Sequence, residues 1–435
     1  MSRRYVHRVA GLAALLVATG SGAAQAAAAT SDDGLWYYSQ SGMEQLHQTT
    51  TGEGVTIAVL DTAINPDSPE LAGADVQVHE PSYCATESGE PALPASGDGP
   101  TTQHGTSMTS LLVGSGERPD GKPGQRGVAP GATVRFYSIA PGGEDTLCGV
   151  PDTGADPEQA FRDAVADGAD IINISMFTSI PPEDYAAAVR AGVVVVAAAG
   201  NSGGDLIATP ADVNGVVAVG TVTPEVTLDP TSPAGPELGV VAPGSDFLCY
   251  EADLVTVGRC TGSSNAAAYT SGVLALAMSA FPEATTDQIL QALVRTTDGQ
   301  AVHEPQRDDA WGYGVVNARL LLETDPTTMP DVSPFVRDGA DEDPTAAELT
   351  GAGGAAGSSP APTDAGGAGE TPAPAPEDDG TGASHLIIIG GVLGLLLVAG
   401  LVTAGVLAAR RRKPVPDAGG PNSTAAPTYR GGPHG

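Results

Sequence analysis

The sequence predicts an α/β fold, a doubly wound parallel sheet with helices on both faces. Short continuous apolar runs, several rich in β-branched residues, lie at 55–60, 133–139, 171–174, 193–198 and 216–219. Helical spacing of apolar residues follows at 104–113, 157–166, 183–191, 264–281, 286–296 and 315–323. Strands that are apolar throughout are typical of parallel sheets covered on both faces, and Ala, Val, Leu and Ile are abundant enough to fill the core.

The charge of the chain excludes some classes of partner. The 435 residues include 52 acidic and 19 basic residues, which gives a formal net charge of -33. Such an acidic chain is a poor partner for nucleic acid or for an anionic lipid surface. The length allows one large globular domain, which we predict at residues 27–324.

The amino terminus is typical of a secretory signal peptide. Arg3, Arg4 and Arg8 precede an apolar run over 9–18, and small residues surround Ala26. We expect cleavage near Ala26, which assigns the signal peptide to residues 1–26. The alternative is a buried amino-terminal helix, but the charged head and the short apolar run favour export.

The carboxyl-terminal part of the chain predicts a membrane anchor. Residues 385–409 are apolar apart from His385 and precede the basic cluster 410–413, so we predict a transmembrane helix rather than a buried core helix. Residues 325–384 are rich in Pro, Gly, Ala and acidic residues and predict a disordered stalk. The positive-inside rule then predicts a single-pass protein of the cell membrane, with an extracellular domain and a cytoplasmic tail over 410–435.

The four cysteines predict two disulfides in an exported chain. Cys249 and Cys260 are close in sequence and favour a local bridge, which leaves Cys84 and Cys148. Other pairings remain possible from sequence alone. Their spacing does not match a zinc site, and no acidic loop has the spacing of a calcium site, so we predict no metal and no cofactor.

Four polar residues are predicted to lie at the carboxyl ends of the parallel strands, where catalytic and binding groups of such folds usually lie. Asp61 directly follows the run 55–60, and His104 begins a predicted helix. Ser264 begins the long helix predicted over 264–281, and Asn201 follows the run 193–198. Each residue by itself also fits a structural role, as a turn former, a surface histidine, a helix cap or a turn asparagine.

Taken together, four ordered motifs resemble the subtilisin-like serine proteases. They are Asp-Thr at 61–62, His-Gly-Thr-Ser at 104–107, Ala-Ala-Gly-Asn at 198–201 and Gly-Ser-Ser-Asn-Ala-Ala at 262–267. The resemblance covers about residues 36–322. It implies that Asp61, His104 and Ser264 are a catalytic triad that cleaves protein or peptide substrates. It also implies that Asn201 donates to the oxyanion.

The sequence departs from the family pattern at four positions. Ala63 stands where the family usually has Gly, Ser263 replaces Thr, and Ala268 replaces Pro. None of these changes removes a catalytic group. By resemblance, Ser175, Met176 and Phe177 line the primary specificity pocket, and Phe177 stands in place of a glycine. We therefore expect a narrowed or blocked pocket.

Within the family, the sequence is similar to the mycosins, membrane-anchored proteases associated with type VII secretion in actinobacteria. The lead-in over 36–54, the sequence Tyr-Thr-Ser-Gly at 269–272, the four cysteines, the stalk and the predicted anchor carry this similarity. It implies a membrane-anchored serine endopeptidase that works with a type VII secretion membrane complex. Two alternatives remain: a mainly structural subunit of such a complex, and a generic secreted scavenging protease.

Overall fold

The computed structural model describes residues 34–84, 92–118, 120–141, 156–299 and 301–351, all of which fall in one compact unit, Met1–Ser359. The predicted signal peptide, the predicted transmembrane segment and the predicted cytoplasmic tail lie outside these residues. Within the described ranges, no helix combines the length and the hydropathy needed to cross a membrane.

The strands follow the apolar runs of the sequence and add several shorter elements. In chain order they are β1 Thr56–Asp61, β2 Val76–His79, β3 Ser115–Glu117, β4 Pro123–Arg126, β5 Thr133–Ser138, β6 Ile171–Ile174, β7 Val194–Ala198, β8 Val217–Val222, β9 Leu238–Pro243, β10 Phe247–Tyr250 and β11 Val257–Cys260. Seven of them form one sheet in the order β2-β5-β1-β6-β7-β8-β9. All its neighbouring strands are parallel, which confirms the predicted α/β class.

In the described residues, five helices begin and end within one residue of the predicted positions, a sixth is shorter than predicted, and three others were not predicted. In chain order the helices are α1 Trp36–Gln40, α2 Met43–Leu46, α3 Gln103–Val113, α4 Pro157–Ala166, α5 Pro182–Arg190, α6 Ser263–Ala280, α7 Thr286–Arg295, α8 Ala318–Leu322 and α9 Ala346–Thr350. Asp156 caps α4, and a Thr285–Gln288 capping box starts α7. The helix predicted over 315–323 is shorter than expected, because Val315 instead makes a parallel bridge to Val241 of β9.

Both faces of the main sheet are buried. Along β1, Ile57 and Val59 point into one hydrophobic cluster, and Ala58 and Leu60 point into another. The first cluster includes residues of α3, α6 and α7, and the second includes residues of α4 and α5. This double coverage explains why the central strands are apolar at nearly every position.

The lead-in, residues 36–54, starts near the carboxyl end of the sheet and runs to the start of β1. Trp36 and Tyr37 are buried, and the Tyr37 ring stacks on Phe247 of β10 at 4.4 Å between centroids. Trp36 Nε1 donates to the Ser245 carbonyl at 2.8 Å, just beyond β9. The lead-in is therefore part of the folded domain.

The prediction that a disordered stalk begins at residue 325 is wrong for residues 325–351, here called the strap. They contain a short 3₁₀ helix, Pro326–Thr328, and the helix α9. Phe335 and Leu349 are buried against the domain. The composition predicted disorder because the strap has few apolar residues of its own. Those few pack against side chains of the domain core, and the composition of the strap alone does not show these contacts.

Three of the four cysteines lie within the described residues. Cys249 of β10 and Cys260 of β11 are bonded to each other across an antiparallel hairpin. Cys84 is also disulfide-bonded. Its partner lies outside the described residues, and so does Cys148, with which we predict it to pair.

Candidate active site

Asp61 and His104 meet at the carboxyl end of β1. Asp61 is the last residue of β1 and is fully buried, and His104 is the second residue of α3. Asp61 Oδ1 lies 2.7 Å from His104 Nδ1 and accepts the Thr62 backbone N–H at 2.7 Å. These contacts hold the carboxylate in place and orient the imidazole through one ring nitrogen.

A glycine after the histidine lets α3 approach the end of β1 closely. A Cβ at Gly105 would lie 2.4 Å from the Ala63 carbonyl oxygen and 2.7 Å from the Phe136 ring. The Gly105 backbone N–H donates to Thr62 Oγ1 at 3.1 Å. Any larger side chain would push the helix, and His104 with it, away from Asp61.

Ser264 is tied to the end of β6 by two reciprocal hydrogen bonds. Its hydroxyl donates to the Ser175 carbonyl at 2.8 Å, and the Ser175 hydroxyl donates to the Ser264 carbonyl at 3.0 Å. Leu60 of β1 pairs with Ile174 of β6, so Asp61 and Ser175 extend side by side from neighbouring strands. Ser264 also lies in the first turn of α6, where the free backbone N–H groups favour a negative oxygen.

Asn201 is oriented by the residue that precedes Ser264. Its Oδ1 accepts the Ser263 backbone N–H at 2.7 Å and the Ser263 hydroxyl at 3.1 Å. The Gly200 backbone N–H in turn donates to the Ser263 hydroxyl at 3.0 Å. Because these contacts occupy the amide oxygen, the Nδ2 end of Asn201 faces away from Ser263 and is available as a donor.

Sequence reasoning missed a buried polar chain behind Ser264. Ser271 of α6 donates to Asn173 Oδ1 at 3.0 Å, and Asn173 Nδ2 donates to the Ser175 hydroxyl at 3.0 Å. All three side chains are buried. The signal was available, since Asn173 is the one polar residue inside the apolar run 171–174 and a buried amide needs partners.

The three predicted pocket residues separate into two environments. Ser175 and Met176 are buried, and Ser175 contacts Ser264 as described above. Phe177, by contrast, is 63% exposed. The large ring therefore projects to the surface rather than into the core, two residues beyond the carbonyl that accepts the Ser264 hydroxyl.

A second buried carboxyl lies behind α3. Glu70 is fully buried, and its Oε1 accepts the Gln125 backbone N–H at 2.6 Å. Burial raises the pKa of Glu70 to about 7, and this hydrogen bond opposes the rise. Sequence analysis did not single out this residue. No group of three or more His, Cys, Asp or Glu side chains suited to a metal occurs in the part of the chain that the structure describes.

Comparison with known proteins gives a family match. Residues 52–314 match the subtilase family, Peptidase_S8. Mycosin-1 of Mycobacterium tuberculosis is 30% identical over 361 residues, which cover 69% of this chain and 75% of that protein. The halolysin-like extracellular serine protease Nep of Natrialba magadii is 29% identical over 285 residues, or 64% of this chain. The chain spans about half the length of Nep, 49%.

Solved structures of the same fold include a mycosin. MycP1 from Mycobacterium smegmatis matches with a TM-score of 0.52 and 24% identity over 71% of this chain and 88% of MycP1. MycP1 from the ESX-1 type VII secretion system matches with a TM-score of 0.53 and 24% identity, covering 69% of this chain and 88% of that one. At this level of identity the structures support the fold.

Proposed function

Since the chain belongs to the subtilase family of serine proteases, we propose that Asp61, His104 and Ser264 are its catalytic triad and that Asn201 completes the oxyanion hole. The chain is a serine endopeptidase of subtilisin-like fold. The observation that supports the proposed assignment best is the 2.7 Å contact of buried Asp61 with His104 Nδ1, at the same edge of the sheet as Ser264.

The chemistry follows from these positions. The Ser264 hydroxyl oxygen attacks the peptide carbonyl carbon and gives its proton to His104 Nε2. Asp61 holds the Nδ1 proton and stabilises the imidazolium. Asn201 Nδ2 and the Ser264 backbone N–H donate to the oxyanion, and His104 then protonates the leaving amine. Water then takes the place of the amine. His104 accepts a proton from the water as its oxygen attacks the acyl carbon, and it returns a proton to the Ser264 oxygen as the acyl–serine bond breaks.

The Ser264 hydroxyl has a hydrogen-bond acceptor at the end of β6. Its hydroxyl proton points to the Ser175 carbonyl at 2.8 Å, which is a resting position. In the proposed reaction this proton passes to His104 Nε2, and the Ser175 carbonyl is then free to accept another N–H.

We propose further that this protease is exported and membrane-anchored and that it works with a type VII secretion complex. The signal-like residues 1–26 and the apolar residues 385–409 support export and anchoring. The mycosin relatives and the MycP1 match support the secretion context. The alternative is a mainly structural subunit of such a complex. The same observations support it, and it differs from the protease only in whether Ser264 reacts.

The deciding experiment is active-site labelling of the full chain in membranes with a fluorophosphonate probe. We expect labelling that disappears in Ser264→Ala and falls about 10,000-fold in rate in Asp61→Asn, because the wrong imidazole tautomer is then favoured. Asn201→Ala should retain labelling but lose about 100-fold or more in peptide turnover. If the folded, disulfide-bonded chain does not react, in the presence or absence of its secretion complex, the proposed triad is wrong and the structural alternative gains.

A further inference from the structure

The hairpin of β10 and β11, here called the disulfide hairpin, lies in the chain between the main sheet and the helix that carries Ser264. The strand β9 ends at Pro243, and α6 begins at Ser263. The Gly262 backbone N–H donates to the Gly244 carbonyl at 3.1 Å, which closes the base of the hairpin. The hairpin therefore begins and ends at neighbouring positions, directly before the first turn of α6.

The end of β10 contacts the first residue of α3. Gln103 Nε2 donates to the Tyr250 carbonyl at 2.7 Å. Gln103 directly precedes His104 in the first turn of α3, and Tyr250 is buried at the end of β10. The start of α3 cannot move away from the hairpin without losing this hydrogen bond. The disulfide hairpin thereby supports the helical turn that carries His104.

The base of the disulfide hairpin contacts the residue that follows Ser264. Asn265 is buried, and its Nδ2 donates to the Gly244 carbonyl at 3.0 Å and to Cys260 Sγ at 3.4 Å. These two acceptors lie at the two ends of the hairpin. A buried amide needs such partners, and here they fix the first turn of α6 against the hairpin.

The disulfide joins the two contacts. Cys260, which accepts from Asn265, is bonded to Cys249. Cys249 directly precedes Tyr250, whose carbonyl accepts from Gln103. A short path of covalent bonds and hydrogen bonds therefore connects the start of α3 with the start of α6, although the two helices lie far apart in the sequence.

We propose that the disulfide hairpin holds the imidazole of His104 and the hydroxyl of Ser264 at the separation that proton transfer requires. Gln103 and Asn265 are the positioning residues through which it acts. The proposal rests on the proposed proteolytic function. Proton transfer needs the two atoms within about 3.2 Å, and small displacements of a catalytic group lower the rate strongly. A two-stranded hairpin is only marginally stable by itself, and the disulfide gives it the rigidity that such positioning requires.

The first test measures the rate constant and the end point of fluorophosphonate labelling of the full chain in membranes. Gln103→Met keeps the length of the side chain and removes its donor, and Asn265→Ala removes the other donor. We expect each to lower the rate constant about 10-fold, because the catalytic groups are then less well aligned. The end point measures the number of folded active sites and should stay at the level of the unmodified chain. A purely structural role would lower the end point instead.

The second test opens the disulfide. The double variant Cys249→Ala, Cys260→Ala should lower the rate constant of labelling about 10-fold or more. Gln103→Met should have a smaller effect in this variant than in the unmodified chain, because the contact that it removes is already weakened. Cys84→Ala opens a different disulfide and is the matched control, which should keep the rate constant of the unmodified chain.

The third test follows His104 without any reaction, by proton NMR of the full chain in detergent. The proton on Nδ1 lies in the 2.7 Å contact with Asp61, and such a short hydrogen bond moves its resonance far downfield. The loss of this resonance in His104→Ala assigns it. We expect Gln103→Met to shift or broaden the resonance, because the first turn of α3 loses its support. Asn265→Ala should leave the resonance unchanged, because that residue supports the other helix.

The outcomes separate the disulfide hairpin from the triad. Unchanged rate constants in Gln103→Met and Asn265→Ala would overturn the positioning role and leave the triad standing. A lower end point with an unchanged rate constant would also overturn it, because the hairpin would then only stabilise the fold. If the unmodified chain is not labelled but Gln103→Met shifts the His104 resonance, the proposed catalysis is overturned and the support of His104 by the hairpin stands. An unchanged resonance in Gln103→Met and in the double cysteine variant would overturn that support whatever the labelling shows.

Discussion

The lead-in and the strap both lie outside the parallel sheet, and they are held to it by different forces. The lead-in is held mainly by buried aromatic rings, with Trp36 and Tyr37 packed on Phe247. Trp36 contacts the loop just beyond the carboxyl end of β9, at the edge of the sheet where the candidate active site lies. Ser41 also shares a 2.6 Å hydrogen bond with Tyr269 of α6, the helix that carries Ser264.

The strap is held mainly by polar anchors at the amino end of the sheet. The Asn214 side chain, fully buried before β8, donates to the carbonyls of Arg337 and Pro344 at 3.0 and 2.9 Å. Its Oδ1 accepts the Arg337 backbone N–H at 2.7 Å. Leu349 adds an apolar contact on Gly215, where a Cβ would lie 3.0 Å from the leucine.

The difference separates effects on the active site from effects on the fold. The lead-in contacts α6 and the loop after β9, so disturbing it should affect both stability and the reactivity of Ser264. The strap contacts the amino ends of the strands, and the proposed triad lies at the carboxyl ends. Disturbing it should affect stability alone.

The largest expected effect is that of removing the main ring of the lead-in. Trp36→Ala should lower the free energy of unfolding by about 4 kcal/mol, because a buried indole leaves a cavity and the Ser245 carbonyl loses its donor. Urea denaturation of the full chain in detergent, followed by circular dichroism, measures it. Trp36→Phe keeps most of the packing and is the control. A loss below about 1 kcal/mol for Trp36→Ala would show that the lead-in is only loosely attached.

The free energy of unfolding should depend on pH through Glu70, the buried carboxyl behind α3. The folded state holds the Glu70 proton more tightly than the unfolded state, whose pKa is near 4.5, so the contribution of Glu70 to stability is greatest below pH 4.5. It should fall as pH rises from about 4.5 to about 7, by up to about 3 kcal/mol. Glu70→Gln removes this contribution, and unfolding at pH 5 and pH 8 should show a smaller difference for the variant. An identical pH dependence in both proteins would contradict the proposed burial of a titrating carboxyl.

The smallest expected effect is that of loosening the strap. Asn214→Ala should lower the free energy of unfolding by about 2 kcal/mol, since three hydrogen bonds to the strap are lost and each contributes about 0.5–1.5 kcal/mol. The rate of fluorophosphonate labelling should stay at the level of the unmodified chain under native conditions. A labelling rate reduced as strongly as by Trp36→Ala would mean that the strap and the active site are coupled.

Much of the site was predictable because its signals are local. Asp61, His104, Asn201 and Ser264 each stand next to a strong apolar run or at a helix start, and parallel strands deliver their carboxyl ends to one edge. The orientation of the groups was not predictable in the same way. That Ser263 turns the Asn201 amide, and that Asn173 supports Ser175, depends on residues up to 98 positions apart.

The sequence by itself determined the parallel sheet and the positions of the four motifs. A central strand that is buried on both faces needs apolar residues at nearly every position, and such a continuous run is visible in the sequence. Only the tertiary structure decided that the strap is folded, that Glu70 is buried and that Phe177 faces outward. Each of these depends on partners that chain folding brings from far along the sequence. A local pattern records the preference of a segment for helix or strand, and it does not record which distant surface will cover that segment.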